Sequence, residues 1–495
     1  ETAGDRRIYL EAMVDYNRTF GRHDVNAMLL YNQDELVNNV PGNNLINSLP
    51  KRKQGLAGRL SYAYDGKYMA EVNMGYNGSE NFAKGHRWGF FPSIALGYNI
   101  SEESFFEPLR KVITSMKLRG SWGLVGNDQI GGERFIYMPT INLSGKGFTT
   151  GIDQNYGLSG PVYTRYENNS ITWEVGEKIN LGIDLQLLNS LNIVVDIFRE
   201  TRRDIFQKKG TIPTYLGTGN TDVFGNLAEM KNQGLDLSID YNKAFSKDFY
   251  MNFKGTFTYA HNEITKYDEA PKYAFQSKVG QSANVSQGYL SNGLFLDEAE
   301  IDRYNQQMGS TLGAGDIKYL NVSNMHGYGD DIVDVDDWTW IGNPTVPEIV
   351  YGFGPSFKYK NWDFSFFFQG VAKTSLFMSG FHPFGDNSLR NVLQFVANDR
   401  WSPTNQNVDA KYPRLTRKTS LNNTNPGNSG RTSDYWMRDG SFLKLKNMEL
   451  GYTFKRMRFY ISGSNLLTFS KFDLWDPEQG GGSGLKYPTQ RVFNV

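Results

Sequence analysis

The chain contains no cysteine among its 495 residues. That absence excludes disulfide scaffolds, Cys-ligated zinc, iron–sulfur clusters and thiol nucleophiles, and it suits an oxidising envelope as well as the cytosol. Charge of either sign is not in excess: 52 Lys and Arg balance 52 Asp and Glu, so the formal net charge is zero. No long-range field gathers polyanions, and a nucleic-acid partner is not expected. Mean hydropathy is −0.51, and no apolar run reaches the roughly 18 residues of a membrane-crossing helix. The stretch Glu1 to Arg7 carries no signal-peptide apolar region. Catalytic signatures are missing as well. The five histidines, His23, His86, His261, His326 and His382, are dispersed, and no H-E-x-x-H, G-x-S-x-G, P-loop or Rossmann fingerprint occurs. An enzyme is not expected.

What is abundant is aromatic side chain, 14% of residues, and alternation. Between Glu177 and Leu187, the residues Ile179, Leu181, Ile183, Leu185 and Leu187 share one parity, and Lys178, Asn180, Gly182, Asp184 and Gln186 the other. A strict period of two is a strand with one apolar and one wet face. The pattern returns at Leu235–Asn242 and Met251–Tyr259, and over 56–64, 68–76, 116–122, 349–359, 362–368 and 458–466. Helical periodicity appears in none of them. The fold class is all-β.

The connections alternate between tight and long. Gly21-Arg22-His23, Asp65-Gly66, Asn189-Ser190, Ser246-Lys247-Asp248, Lys360-Asn361 and Lys455-Arg456 each join two strands, and Asp-Gly is a hairpin signal. The segment from Tyr98 to Val112 is a longer member of this set. Between the hairpins run the connections 32–54, 77–87, 123–172, 200–231, 261–346, 370–441 and 468–487. Loops of that size are rare in compact soluble domains. Short turns alternating with long external loops mark an outer-membrane barrel.

Lipid enforces the same conclusion, because a strand can cross it only within a closed barrel that pairs every backbone group. Aromatics cluster at strand ends, at Tyr62 and Tyr64, Trp88 with Phe90 and Phe91, Trp122, and Phe357 with Tyr359, where interfacial girdles belong. Polar residues at alternate positions then line the lumen: Glu71, Asp184, Gln186, Asp236, Asp240 and Lys254 are the candidates. A soluble β-protein with an aromatic core, a passive porin and a repeat-built adhesin are the alternatives, and no fixed-period repeat supports the last. About 15 strands are counted, from Ile8 to the stub at Val492–Val495. An odd count would pair first and last strands in parallel on closure, so further strands are expected before Glu1.

Specific words of the sequence resemble a known family. Tyr435-Trp-Met-Arg-Asp-Gly-Ser-Phe-Leu-Lys-Leu-Lys-Asn447 is followed by Leu450-Gly-Tyr-Thr-Phe454, Ser464-Asn-Leu-Leu467, Asp476-Pro-Glu478 and Tyr487-Pro-Thr-Gln-Arg491. Earlier come Arg87-Trp-Gly-Phe-Phe-Pro92, Leu118-Arg-Gly-Ser-Trp-Gly123, Trp173-Glu-Val-Gly-Glu-Lys178, Gly315-Asp-Ile-Lys-Tyr319 and Ile341-Gly-Asn-Pro344. Together they resemble the SusC/RagA-type, TonB-dependent outer-membrane transporters of Bacteroidetes. The resemblance implies that residues 1–495 are the C-terminal portion of a barrel of about 22 strands, with the plug domain and first strands outside this chain. It implies a SusD-like surface lipoprotein as a lid, TonB with ExbB and ExbD acting through an N-terminal region, and a possible dimer of the transporter–lipoprotein pair. Cargo is expected to be oligosaccharide or, in the RagA-like branch, oligopeptide. No cofactor is required.

Two groups of loop residues stand out. The acidic stretch with Asp330, Asp331, Asp334, Asp336 and Asp337 offers hard oxygen ligands of the kind calcium takes. Relatives often carry an EF-hand-like loop here, and Asn321–Gly327 departs from that pattern, so a solvated acidic loop is the alternative. Tyr215, Phe224, Trp338, Trp340, Phe381 and His382 are the loop aromatics that would face substrate or lid, with loop packing as the competing role.

Overall fold

The computed structural model describes residues 4–38, 46, 49–131, 133–213, 215, 222–304, 306–307, 312–328, 330–381, 383–384, 389–417, 423 and 432–495. Alternating apolar and polar residues, rich in aromatic and β-branched types, form one 15-stranded sheet whose spatial order follows the sequence. Its strands are β1 (Asp5–Phe20), β2 (His23–Asn38), β3 (Lys51–Tyr64), β4 (Tyr68–Ser79), β5 (Trp88–Asn99), β6 (Ile113–Asn127), β7 (Glu174–Leu187), β8 (Leu191–Lys208), β9 (Phe224–Ala244), β10 (Phe249–Lys266), β11 (Ile349–Tyr359), β12 (Trp362–Ala372), β13 (Phe442–Phe454), β14 (Met457–Ser470) and β15 (Val492–Asn494). The tight turns form as their residues demand. Asp65 and Gly66 have φ of 51° and 66°, the left-handed pair that a two-residue hairpin turn needs to match strand twist.

Several strands outrun their periodicity. Residues 200–208 and 224–231, expected as loop, extend β8 and β9, and 32–38 extends β2. Alternation is visible only where one face is apolar and the other wet. Beyond that band the apolar residues, such as Phe206, Phe224 and Leu227, no longer keep to one parity, yet the ladder of backbone hydrogen bonds continues.

The chain divides into two compact units, Glu1–Leu237 with His261–Ala270, and Ser238–Ala260 with Pro271–Val495. In the first, the register stacks like on like. Arg59, Ser61 and Glu71 fall on one face, as do Arg119, Asn180, Asp184 and Asp196. The opposite face is apolar and open: Val14 is 71% exposed, Leu181 63% and Ile197 60%. An apolar band so exposed is the wrong way round for a water-soluble sheet and right for one bathed in lipid. Tyr68 stacks on Tyr98 at 5.2 Å at one end of the band, and Tyr76 on Trp88 at 4.7 Å at the other. Tyr68 and Tyr76 share β4, so the girdles stand about 26 Å apart along the strand at ~3.3 Å per residue, close to the height of a barrel's apolar belt.

The second unit repeats the arrangement. Asn252, Lys254, Ser356, Ser365, Asn447, Glu449 and Ser462 line one polar hollow, while Leu450, Phe459 and Ile461 are exposed on the sheet. Trp362 meets Tyr452 at 4.7 Å near the turn ends.

Each unit also carries an apolar core away from the lipid-facing band. In the first, Phe82, Phe91, Ile130, Ile136, Ile171 and Trp173 pack together. In the second, Tyr289, Leu294, Ile317, Tyr319, Phe381, Phe384, Trp401, Tyr412 and Trp436 belong to a larger cluster. The long connections are therefore folded structures in their own right. Leu181→Arg on the lipid face should cost about 2–4 kcal/mol, read as loss of the heat-modifiable folded band in gels. Asn180→Arg, one residue away on the wet face, should leave that band in place. Equal effects would contradict the facing.

Candidate functional site

The wet face of the first unit is built from compensated charges. Arg119 of β6 reaches Asp184 of β7 at 2.8 Å and Asp196 of β8 at 3.0 Å. Gly182 lies between these groups, and a Cβ there would stand 2.8 Å from the Arg119 guanidinium, so the glycine leaves room for the bridge. Arg59 binds Glu71 at 2.7 Å, and the same carboxylate accepts from Ser61 (2.8 Å) and Asn73 (2.9 Å). Of the lumen candidates, Glu71 and Asp184 thus sit in ion pairs, and Gln186 shares their face through its register with Ser115. Asp240 follows the alternation of Asn242, whose Oδ1 accepts from the Tyr250 hydroxyl at 2.8 Å. Asp236 stands on the same alternation, and Lys254 lines the second unit's hollow. Sequence reasoning omitted Arg59, Arg119 and Asp196. Their signal was present: each is polar at the wet parity of its own strand.

The loop assembly of the second unit explains the family words. Gly315 has φ +84° and a Cβ there would come within 2.3 Å of the Trp401 ring. Asp316 is fully buried, where its carboxylate accepts from Arg414 Nη2 at 3.0 Å, Asn423 Nδ2 at 2.6 Å and Gly313 N–H at 2.9 Å. Ile317 and Tyr319 enter the core, and Lys318 turns out to Glu300 at 2.8 Å. Trp436 is central to the same core. Two further words meet each other. Lys444, almost wholly buried, pairs with Asp476 and with Glu478 at 2.9 Å, and Lys446 reaches Glu478 at 2.6 Å. Burial alone would raise both carboxyls, but Lys444 with the Glu478 backbone N–H outweighs it at Asp476, and Lys446 with Lys444 at Glu478, holding both below the usual carboxylate range.

The loop aromatics have different fates. Tyr215 is 85% exposed. Phe224 opens β9 and stacks on Phe206 at 4.9 Å. Phe381 is 2% exposed, inside the loop core against Trp436, so it offers no open ring face. Trp338 is exposed and meets Tyr289 in a T-shaped contact at 6.0 Å, and Trp340 donates from Nε1 to the Ser277 carbonyl at 2.8 Å. His382 lies outside the described residues.

The acidic stretch spends its oxygens internally. Asp334 caps a short 3-10 turn, Val335–Asp337, in a capping box with Asp337. Buried Asp337 accepts from Ser323 N–H at 2.9 Å and Asp334 N–H at 2.8 Å, and burial still pushes its carboxyl up. Asp330 accepts from Ser323 Oγ at 3.0 Å and Asn321 Nδ2 at 3.1 Å, and these donors hold it down against the effect of burial. Asp336 pairs with Lys272, and Asp331 is exposed. Among the described residues no three His, Asp or Glu side chains converge to hold a metal ion. This donor arrangement does not fit calcium.

Strands with one lipid-facing and one charged face, hairpins at one end and self-packed loops between, define a membrane β-barrel wall. Residues 2–466 match the model of the TonB dependent receptor-like, beta-barrel family, and the chain belongs to that family. It is an outer-membrane protein. The chain is 28% identical over 463 residues to TonB-dependent receptor SusC of Bacteroides thetaiotaomicron, covering 88% of this chain and 42% of that protein. It is 26% identical to TonB-dependent receptor P3 of Formosa agariphila, covering 85% and 41%. The solved RagAB peptide transporter superposes with a TM-score of 0.71 at 20% identity, covering 99% of this chain and 55% of that one. The chain thus spans less than half the length of the SusC and P3 receptors.

Asp316→Ala, which leaves Arg414 without its carboxylate, should destabilise the loop assembly by about 3 kcal/mol, seen as faster hydrogen exchange over 313–319 with the barrel strands unchanged. The Asp476 and Glu478 pairs give a pH signature. Depressed carboxylates contribute stability that is fully present above the unfolded value near ~4 and lost as pH falls through the lower folded values. Proteolysis within 471–491 should therefore stay constant from neutral pH down to about 5 and rise below about 4. Loosening already between neutrality and pH ~6 would contradict the assignment.

Proposed function

We propose that this barrel segment is part of a SusC-like, TonB-dependent importer that takes up oligosaccharides from glycan breakdown. The observation that carries the proposal is the wet face itself. Paired charges such as Arg119 with Asp184 and Asp196 line it in place of close-packed apolar side chains, as befits the wall of an aqueous passage. Family membership supplies the energy source: TonB, driven with ExbB and ExbD, would act through a plug belonging to the longer protein of which residues 1–495 are the C-terminal barrel portion. A SusD-like surface lipoprotein would cover the folded loops, and two such pairs would associate as a dimer. The SusC-type resemblance of the sequence words favours oligosaccharide cargo. Oligopeptide import is the second possibility, favoured by the fold similarity to the RagAB peptide transporter.

The test is purification of the native protein from outer membranes in mild detergent, with mass spectrometry of what accompanies it. A plug-bearing polypeptide, a surface lipoprotein and bound sugar are expected; bound peptide would transfer the cargo assignment to the second possibility. Recovery as a detergent-free soluble chain would contradict the proposal. Charge reversal on the wet face, Asp184→Lys or Glu71→Lys, should lower uptake by roughly tenfold or more while folded protein in the membrane changes less. Loss of assembly with normal uptake by the surviving protein would show that this face does not line the passage.

A further inference from the structure

Four rings that the loop core does not contain gather in the second unit. Tyr273 and Phe275 stack nearly parallel, centroids 5.5 Å apart at 12°. Phe275 then stacks on His326 at 4.6 Å and 13°, and Tyr328 meets Tyr273 at 4.2 Å. His326 and Tyr328 are exposed, and none of the four belongs to the buried cluster around Trp436. Closing the loop core therefore does not account for them. The rings come from two segments that both precede the chain's acidic stretch, and a hydrogen bond from Gln276 to the Val335 carbonyl at 3.1 Å ties the first of them to that stretch. The polar rim is also fixed. Asp336 is bound by Lys272, and the Tyr273 hydroxyl lies 3.5 Å from the same carboxylate.

We infer that this four-ring platform is a saccharide-binding subsite, taking one pyranose unit against the open faces of His326 and Tyr328. A pyranose presents a flat face of C–H bonds to an aromatic plane and hydroxyls around its edge. The platform offers the matching pair: parallel rings in the middle, and a carboxylate, an ammonium and a phenol at the margin. Extended peptide has no such flat apolar face with a hydroxyl edge. The inference deepens the oligosaccharide proposal by naming a contact site for the cargo.

The experiment uses the native complex purified from outer membranes in mild detergent, with maltoheptaose, cellohexaose, xylohexaose and mannohexaose as probes in saturation-transfer NMR and titration. Tyr328→Ala and His326→Ala should each weaken binding of the accepted sugar by roughly 2- to 10-fold, the value of one aromatic contact. Saturation transfer should be strongest to the C–H protons of one ring face. His326→Phe should retain binding, which separates stacking from loss of loop structure. Unchanged affinity in both alanine variants would overturn the inference, as would a wild-type complex that binds none of the sugars or binds only peptides. Cross-linking of a probe at Tyr328 to a co-purified protein that covers the rings, with sugar binding unaffected by the variants, would also overturn it. TonB-dependent uptake by cells carrying the same variants is measured in parallel. Uptake that persists while the variants bind sugar normally leaves the import proposal standing and removes only the subsite.

Discussion

In hydrocarbon no water is available to a backbone N–H or C=O, so each group must find a partner within the protein. That requirement governs the rest of this structure. It turns the spanning segments into strands, each hydrogen-bonded to its neighbours in sequence order. Once the backbone is paired, the side chains divide by parity. One parity meets lipid and is apolar, as with Leu181 and Ile197, and the other meets water and is charged, as with Asp184 and Asp196. The Tyr and Trp girdles mark where the two environments change over.

Charges on the wet face are neutralised locally and not left as a field. Arg119 is shared by two aspartates on adjacent strands, and Arg59 by a glutamate with two further donors. A wall of this kind is polar without being strongly of one sign, in keeping with the balanced composition of the chain. The loops obey the opposite rule. They are long enough to enclose their own apolar cores, and the polar groups taken inside, Asp316 above all, are met by dedicated donors. Burial without those partners would be costly.

The sheet was legible in the sequence because lipid imposes a simple, local period. The count of strands and the placing of Asp184 on the face opposite Leu181 follow from alternation. The extensions of β2, β8 and β9 were hidden because their apolar residues, such as Phe206 and Leu227, fall on both parities and the period fades. The loop cores were hidden for another reason: Asp316 and Arg414 lie 98 residues apart, and Lys444 and Asp476 meet across a connection whose residues show no periodicity. Phe381 illustrates the cost of reading a loop aromatic singly, since only the assembled core shows it buried beside Trp436. The contacts of the acidic stretch with Ser323, Asn321, Lys272 and its own backbone were equally invisible in the sequence.

The central claim, that alternate residues face lipid and water, can be measured directly because the chain has no cysteine of its own. Single cysteines introduced one at a time from Ile179 to Gln186 are labelled in native outer membranes with a membrane-impermeant maleimide, and their fluorescent adducts are exposed to brominated lipid. The account predicts a period of two: positions 180, 182, 184 and 186 label from water and escape quenching, while 179, 181, 183 and 185 resist the aqueous reagent and are quenched. Uniform labelling along the segment, or quenching at the even positions, would contradict it.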